Sequence, residues 1–256
     1  MNHSRNLLKT NKHFEQRSWY EVKFNMEKNE NADFKLIKNS EGEIIGYVKK
    51  LWFLKFLRKV YDIYGLYFDS IIGFNLIDSK IKKYQKCFLE NNKKSIEDFN
   101  KESYICSSGN PGSKNSYTEY ISKMGEVKER NKKDGENYKI IANLCLVLIY
   151  QYWENYYRVR IANDIGLEKT KDLELDIFGE IKVLRDSIIH HRAIALGKVE
   201  DFKLLKWFKK GDKIEIDAKQ LEKIIELIFY SVLNDISEEY KKYGANFFKP
   251  PKIILS

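Results

Sequence analysis

The sequence has few cysteines, and their spacing follows no regular pattern. Cys87, Cys106 and Cys145 are the three cysteines of the 256-residue chain, and no two of them form a C-x2-C pair. An odd number of cysteines without such spacing is typical of reduced, buried thiols rather than of a disulfide framework. The amino-terminal segment also lacks the apolar h-region of a secretory signal. These absences predict a cytoplasmic protein.

The sequence also lacks a long uninterrupted apolar run. Residues 48–90 follow a helical pattern throughout. Lysines, arginines and aspartates nevertheless interrupt every window of about 18–20 residues that a membrane span would need. We therefore expect no membrane-spanning segment, and we interpret this region as a buried antiparallel helix pair or as one long helix. Gly65 and Gly73 are the positions where a kink or break is expected.

Histidine is scarce as well, and this leaves little room for a metal site. The chain has His3, His13, His190 and His191, without an H-E-x-x-H motif or another convincing ligand constellation. The glycine-containing loop at residues 107–113 lacks the G-x4-G-K-[ST] order of a P-loop, so we interpret it as part of a flexible connector. The sequence predicts neither a metal nor a cofactor.

The composition is that of a folded, basic protein. Hydrophobic residues make up 43% of the chain and aromatic residues 14%, which argues against disorder. The formal net charge of +9 favours contact with polyanions such as nucleic acid or an anionic membrane face. The alternative is a lysine- and isoleucine-rich composition that carries no functional meaning.

The amino-terminal part of the chain gives weaker structural signals. Residues 1–31 are polar with scattered aromatics, and we expect an arm or short helix that packs on the body. Residues 34–48 have the pattern of a β-hairpin around an S-E-G turn, with a helix starting near Ser40 as the alternative. Residues 91–137 are the loosest region, a connector with short helical pieces.

Helical signals dominate the second half of the chain. Residues 138–162 are apolar on most sides and predict a central helix, on which Glu154 and Arg158 form an i, i+4 pair. Residues 213–216 suggest a short extended excursion. Asp217 then caps a last amphipathic helix over residues 218–243. The predicted fold class is all-α, a helical bundle with a short β excursion.

Residues 172–195 form the segment around which the functional interpretation is built. Ile177, Ile181, Leu184 and Ile188 fall on one stripe of a helix.

Chemically active residues lie on the opposite arc of the same helix. Arg185, Asp186 and His190 lie about 80–220° around the helix from Ile177, and Asp186 and His190 are neighbours at i, i+4. The carboxylate is therefore placed to orient the imidazole and to raise its pKa. His191 falls beside the apolar stripe and is the weaker candidate.

The pattern Arg185-Asp186-x-x-x-His190 resembles the R-x4-6-H signature of HEPN domains, small helical ribonucleases of toxin–antitoxin and phage-defence systems. Three blocks, residues 130–158, 176–195 and 203–217, resemble successive blocks of one HEPN subfamily in the same order. The resemblance covers about a third of the chain. It implies a HEPN-like core over residues 131–249, preceded by an N-terminal helical extension and loop over residues 1–130. These parts are also compatible with one continuous domain.

The resemblance implies a metal-independent endoribonuclease that cleaves RNA by attack of the 2′-hydroxyl. Arg185, Asp186 and His190 would be the catalytic residues. An imidazole exchanges protons near neutral pH, and a guanidinium clamps a phosphate bidentately. Lys182 and Arg192 are further RNA-binding candidates.

The implied partners are RNA, a second copy of the chain and an antitoxin or defence-system protein. Family membership implies a homodimer, and Val183 and Ile189, which point away from the core stripe, are the candidates for its interface.

One departure separates this chain from HEPN toxins that are silenced by adenylylation. Those toxins carry a tyrosine two or three residues after the histidine, where this chain has Arg192 and Ala193. That form of regulation is therefore in doubt. The alternative function is a non-catalytic HEPN-like module that binds RNA or protein in a defence assembly.

Overall fold

The computed structural model describes the backbone of residues 34–38, 44–49, 52–92, 94–110 and 112–242. Within these ranges the chain is mostly helical, which confirms the all-α fold class with short β elements. The predicted arm at residues 1–31 and the last seven residues of the predicted core lie outside the described residues. The helices are α1 (Trp52–Asn92), α2 (Ile96–Lys101), α3 (Met124–Asn131), α4 (Glu136–Tyr152), α5 (Arg158–Asp164), α6 (Asp176–His190) and α7 (Ala218–Lys242).

The strands form two separate antiparallel hairpins. Strand β1 (Phe34–Lys38) pairs with β2 (Ile44–Lys49), which confirms the first predicted hairpin and excludes its helical alternative. Strand β3 (Ser103–Ser108) pairs with β4 (Tyr117–Lys123). The short helical pieces expected between residues 91 and 137 are present as α2 and α3, but the hairpin replaces the flexible connector, so that part of the prediction is wrong. The glycine-containing segment forms the hairpin loop between β3 and β4.

Helix α1 is one continuous helix of 41 residues, about 60 Å long. This settles the choice between one long helix and an antiparallel pair. Gly65 and Gly73 lie inside the helix without ending it, and a Cβ at either position would meet open space. Burial at both ends holds the helix together, because Phe56 packs into one hydrophobic core and Phe88 into another.

The larger hydrophobic core lies between α1 and the helices of the second half of the chain. The rings of Trp153 and Phe178 stack with centroids 4.1 Å apart, and Phe56 of α1 packs against both. This core therefore includes residues from both sides of the proposed boundary at residue 130. The second core is small, and its buried members are Ile81, Phe88, Phe99, Met124 and Val127.

The predicted central helix is present, with one irregular turn. Helix α4 continues through a π-helical turn (Trp153–Tyr157) into α5. The predicted pair forms there, with Arg158 Nη1 3.0 Å from Glu154 Oε2. The predicted cap of α7 also forms, because Asp217 Oδ1 accepts the backbone N–H of Gln220 at 2.8 Å.

Two expectations drawn from absences have different outcomes. All three cysteines are free, but only Cys145 is buried, whereas Cys106 is half-buried and Cys87 is exposed. The expectation of three buried thiols is therefore wrong. None of the helices in the described residues combines the length with the apolar character needed to cross a membrane.

Candidate active site

Helix α6 carries the candidate site and is anchored by its apolar stripe. Ile177, Ile181 and Leu184 have no exposed side-chain surface, as the helical spacing predicted, and Ile188 is half-buried. The helix begins at Asp176 rather than near Asp172, since Leu175 is extended (φ −126°, ψ 123°). The stripe fixes the rotation of the helix and so sets which residues face outward.

Arg185, Asp186 and His190 form one cluster at the carboxyl end of α6. The Arg185 Nη1 group donates to Asp186 Oδ1 at 2.8 Å and lies 3.4 Å from His190 Nε2. A guanidinium can only donate, so this second contact is a hydrogen bond when Nε2 is unprotonated. The sequence prediction that these three residues lie together agrees with the geometry.

The connections within the cluster differ from those expected. The sequence suggested that Asp186 orients His190, but the Asp186 carboxylate accepts from Arg185, and Arg185 stands between the two. A short side chain one residue away reaches the guanidinium more easily than the imidazole one helical turn further on. Asp186 is therefore a positioning residue for Arg185.

Arg185 also has an unused donor. Its side chain is 25% exposed, but its Nε is buried and lacks a hydrogen-bond partner within the described part of the chain. A buried polar group without a partner costs free energy, so each such group needs an explanation. The Arg185 Nε is therefore a buried donor that the described residues leave unsatisfied.

Tyr150 of α4 lies within electrostatic range of the cluster. Burial raises the pKa of Tyr150 to about 12, and the negative charges of Glu154 and Asp186 act in the same direction. The phenol is therefore neutral at neutral pH.

The backbone just after the cluster is strained. Arg192 and Ala193 both have positive φ angles, 54° and 60°, in a region that non-glycine residues rarely occupy. Strain of this kind is retained where surrounding contacts enforce it, and it often marks functional sites. His191 is exposed and follows the last helical residue, so its expected position beside the apolar stripe is wrong.

Ser187 holds this turn in place. Its buried hydroxyl donates to the Val183 carbonyl at 2.8 Å and accepts the backbone N–H of Leu196 at 3.3 Å. The Ser187 carbonyl accepts the N–H groups of His191 and Ala193.

The segment of residues 213–214 forms backbone hydrogen bonds with this turn. The Ile214 N–H donates to the Ala193 carbonyl, and Ile194 forms a β-bridge with Lys213. The extended excursion predicted at residues 213–216 thus lies beside the site. Glu215 in that excursion pairs with Lys139 and Lys213, and the two lysines lower the pKa of its carboxyl group.

Glu180 fixes the other side of α6. This buried carboxylate accepts the backbone N–H groups of residues 203–205, at 2.5 Å from Lys203 and 2.7 Å from Leu205. The sequence interpretation missed both Glu180 and Ser187. The signal was present, because each is a polar residue on the buried side of an amphipathic helix, and such a residue needs an internal partner.

The remaining predicted site residues are arranged around the cluster. Lys182 and Arg192 are exposed, as expected of RNA-binding candidates. Ile189 is 48% exposed, in agreement with its predicted outward position. Val183 is half-buried and packs against the main core, so the expectation that it points away from the core is wrong.

A shallow cleft of about 350 Å³ lies beside the cluster. Asp186 belongs to both the cluster and the cleft. The lining residues are Lys182, Val183, Asp186, Leu196, Gly197 and Lys198.

Positive charge is concentrated in this part of the sequence. Residues 182–213 contain nine lysines and arginines against four aspartates and glutamates, so they carry five of the nine net charges of the chain. Eight of the nine cations are exposed, and Arg185 is half-buried. Lys182 and Lys198 line the cleft and Arg192 follows the end of α6, whereas Lys203 pairs with Asp176 at the beginning of the helix.

Neither a metal site nor a related protein adds a further candidate residue. No group of three histidine, cysteine or acidic residues within the described residues is arranged to hold a metal ion. No known protein family, curated protein or solved structure matches this chain.

Proposed function

We propose that this protein is a metal-independent endoribonuclease that uses Arg185 and His190 on helix α6. The observation that carries the proposal is the pairing of one guanidinium with a carboxylate at 2.8 Å and an imidazole at 3.4 Å. The exposed cations Lys182, Arg192 and Lys198 near these groups suit a polyanionic substrate. The resemblance to HEPN domains, which rests on the same residues, supports the same function.

The proposed reaction is attack of a ribose 2′-hydroxyl on the adjacent phosphorus. His190 accepts the hydroxyl proton through its unprotonated Nε2, and a bond forms from the 2′-oxygen to phosphorus. The bond from phosphorus to the 5′-oxygen breaks, and that oxygen takes a proton from a water molecule, while His190 later returns the proton it accepted to solvent. The products are a 2′,3′-cyclic phosphate and a free 5′-hydroxyl.

Arg185 has the complementary task in this reaction. Its Nη groups carry the N–H donors that bind two phosphate oxygens, and Nη1 is the group that also contacts Asp186 and His190. Negative charge accumulates on these oxygens in the transition state, and a positioned cation there accelerates the step. Asp186 keeps the guanidinium beside the imidazole through its hydrogen bond to Arg185.

The biological setting follows from the resemblance. We propose a toxin or effector of a bacterial defence or toxin–antitoxin system, active as a homodimer and controlled by an antitoxin or other defence-system partner. A dimer would bring two copies of the cluster into one cleft. Exposed Ile189, on the same helix as the cluster, is the proposed interface residue.

Incubation of the purified protein with labelled RNA in EDTA tests the proposal. Cleavage that persists in EDTA and leaves 2′,3′-cyclic phosphate ends is the expected result. The matched control is the His190→Ala variant, prepared in the same way. Tight RNA binding without cleavage would instead support the alternative, a non-catalytic RNA-binding module.

A further inference from the structure

Two lysines line the cleft next to the candidate active site and a third lies beside it, and we call this site the lysine cleft. Lys182 and Lys198 line it directly. Lys210 lies next to one of the lining residues, since a methyl group placed on Gly197 would lie 3.7 Å from Cδ of Lys210. Three residues far apart in sequence thus bring positive charge to one concavity.

The positive charge of the lysine cleft is not neutralised by neighbouring carboxylates. None of these three ammonium groups forms an ion pair with any residue that the structure describes. The one carboxylate that lines the cleft, Asp186, already interacts with Arg185. Like charges that share a concavity repel one another, and a bound anion removes that cost.

We propose that the lysine cleft binds the phosphodiester backbone of the RNA strand beyond the scissile phosphate. This inference rests on the proposed function and assigns the strand a path. Asp186 belongs to both sites, so a strand with one phosphate on Arg185 continues directly into the cleft. The side chains of Val183 and Leu196 give the cleft apolar surface against which a ribose packs.

Lysines that contact phosphates recognise the charge of the RNA backbone and not the base sequence. Contacts of lysine to phosphate therefore increase affinity for any RNA, and they make binding depend on salt. On a single strand, each phosphate contact contributes about 0.7 to the slope of log affinity against log salt concentration. This slope can be measured without any cleavage.

The test is binding of a 2′-O-methyl oligonucleotide, which lacks the attacking hydroxyl, by fluorescence anisotropy across a salt series. The double variant K198E/K210E removes two of the three cations, and K198Q/K210Q removes their charge without reversing it. The matched control is K80E/K83E, since both of those lysines are exposed on α1 and form no ion pair within the described residues.

We expect K198E/K210E to lose at least about tenfold in affinity and about 1.4 in salt slope, the contribution of two phosphates. K198Q/K210Q should show the same loss of slope, and K80E/K83E should change affinity less than about twofold. Equal losses in the cleft variants and the control would overturn the proposal, because they would reflect net charge alone. So would a wild-type protein that does not bind the oligonucleotide.

Inorganic phosphate distinguishes a strand site from a site for a free anion. We expect phosphate to displace the oligonucleotide no better than chloride at equal ionic strength. Stronger displacement by phosphate would overturn the strand assignment in favour of a small-anion site. Salt slopes that respond as expected in a protein that never cleaves RNA would retain the cleft and reject only the nuclease proposal.

Discussion

At the scale of single residues, the candidate site depends on an arginine held between two partners. Arg185 lies between Asp186 and His190, and its buried Nε keeps an unused donor. His190 itself is exposed at the end of α6. Truncation of His190 therefore removes chemistry without opening a cavity.

His190→Ala should abolish RNA cleavage and leave the fold unchanged. We expect the cleavage rate to fall by about 10²–10⁴-fold, the usual contribution of a general acid–base group. The free energy of unfolding should change by less than about 0.5 kcal/mol, because the side chain is exposed. Single-turnover cleavage and urea denaturation measure the two quantities.

The adjacent imidazole is the natural control for this experiment. His191 is also exposed but lies beyond the last residue of α6. His191→Ala should retain wild-type cleavage and stability. A folded His190→Ala protein with normal activity would remove this residue from the mechanism.

Arg185→Lys separates charge from geometry at the same site. Lysine keeps the positive charge but loses the planar fork that binds two oxygens. We expect turnover to drop by about 10²–10³-fold, while RNA affinity falls only a few-fold. Turnover and Kd are measured on the same RNA. Near-normal turnover in this variant would show that residue 185 acts as a point charge.

The sequence was informative about residue positions and less so about residue contacts. Helical spacing correctly predicted the buried stripe and the exposed position of Ile189. It did not predict that Asp186 would pair with Arg185, because spacing does not rank competing partners. It misplaced His191 because the helix ends at His190, and angles counted along a helix have no meaning beyond its end.

At the scale of secondary structure elements, long helices were easier to predict than short strands. Helix α4 is strongly apolar and buries one face as the pattern predicts, while Ile140, Leu144 and Leu148 on another face are exposed. The β3–β4 hairpin was missed because most of its residues are exposed, so no apolar alternation distinguishes it from a loop. The glycines of the loop led instead to the prediction of a flexible connector.

Ser187→Ala should loosen the turn that follows α6. The change leaves the Leu196 N–H without its acceptor, and a buried donor without a partner costs about 1–3 kcal/mol. Urea denaturation should show this loss in the free energy of unfolding.

Ser70 offers a matched control for Ser187. Its hydroxyl makes the same i−4 bond, to the Leu66 carbonyl, but on an exposed helix face. Ser70→Ala should change the free energy of unfolding by less than about 0.5 kcal/mol. Equal effects at the two serines would show that the Leu196 contact adds nothing.

At the scale of the whole molecule, the active species is expected to be a dimer. Exposed Ile189 lies one turn from Arg185, so a second copy bound there would meet the candidate site. Ile189→Glu should dissociate the dimer and extinguish cleavage, because an isologous interface places the new charge against its own copy. Light scattering and the RNA assay are run on the same sample.

Ile96 gives this experiment a close control. It is the same residue type with the same 48% exposure, but it lies on α2. Ile96→Glu should change neither the mass of the particle nor the cleavage rate. A wild-type protein that is monomeric at assay concentration and still cleaves RNA would reject the shared cleft and retain the ribonuclease proposal.

The unequal size of the two cores has a consequence for how the molecule opens. The small core around Phe88 and Phe99 supports the β3–β4 hairpin, α2, α3 and the second half of α1, whereas α6 packs into the large core. Regions with few buried contacts unfold locally at lower free energy than the rest. Helix α1 can therefore fray from its carboxyl end while its first half stays bound.

Native-state hydrogen exchange should detect this as two levels of amide protection. We expect the amides of β3, β4 and the second half of α1 to exchange well before those of α6. A single level across the described residues would contradict this expectation. If the two levels are found, the region around the small core opens transiently while the candidate site on α6 remains formed.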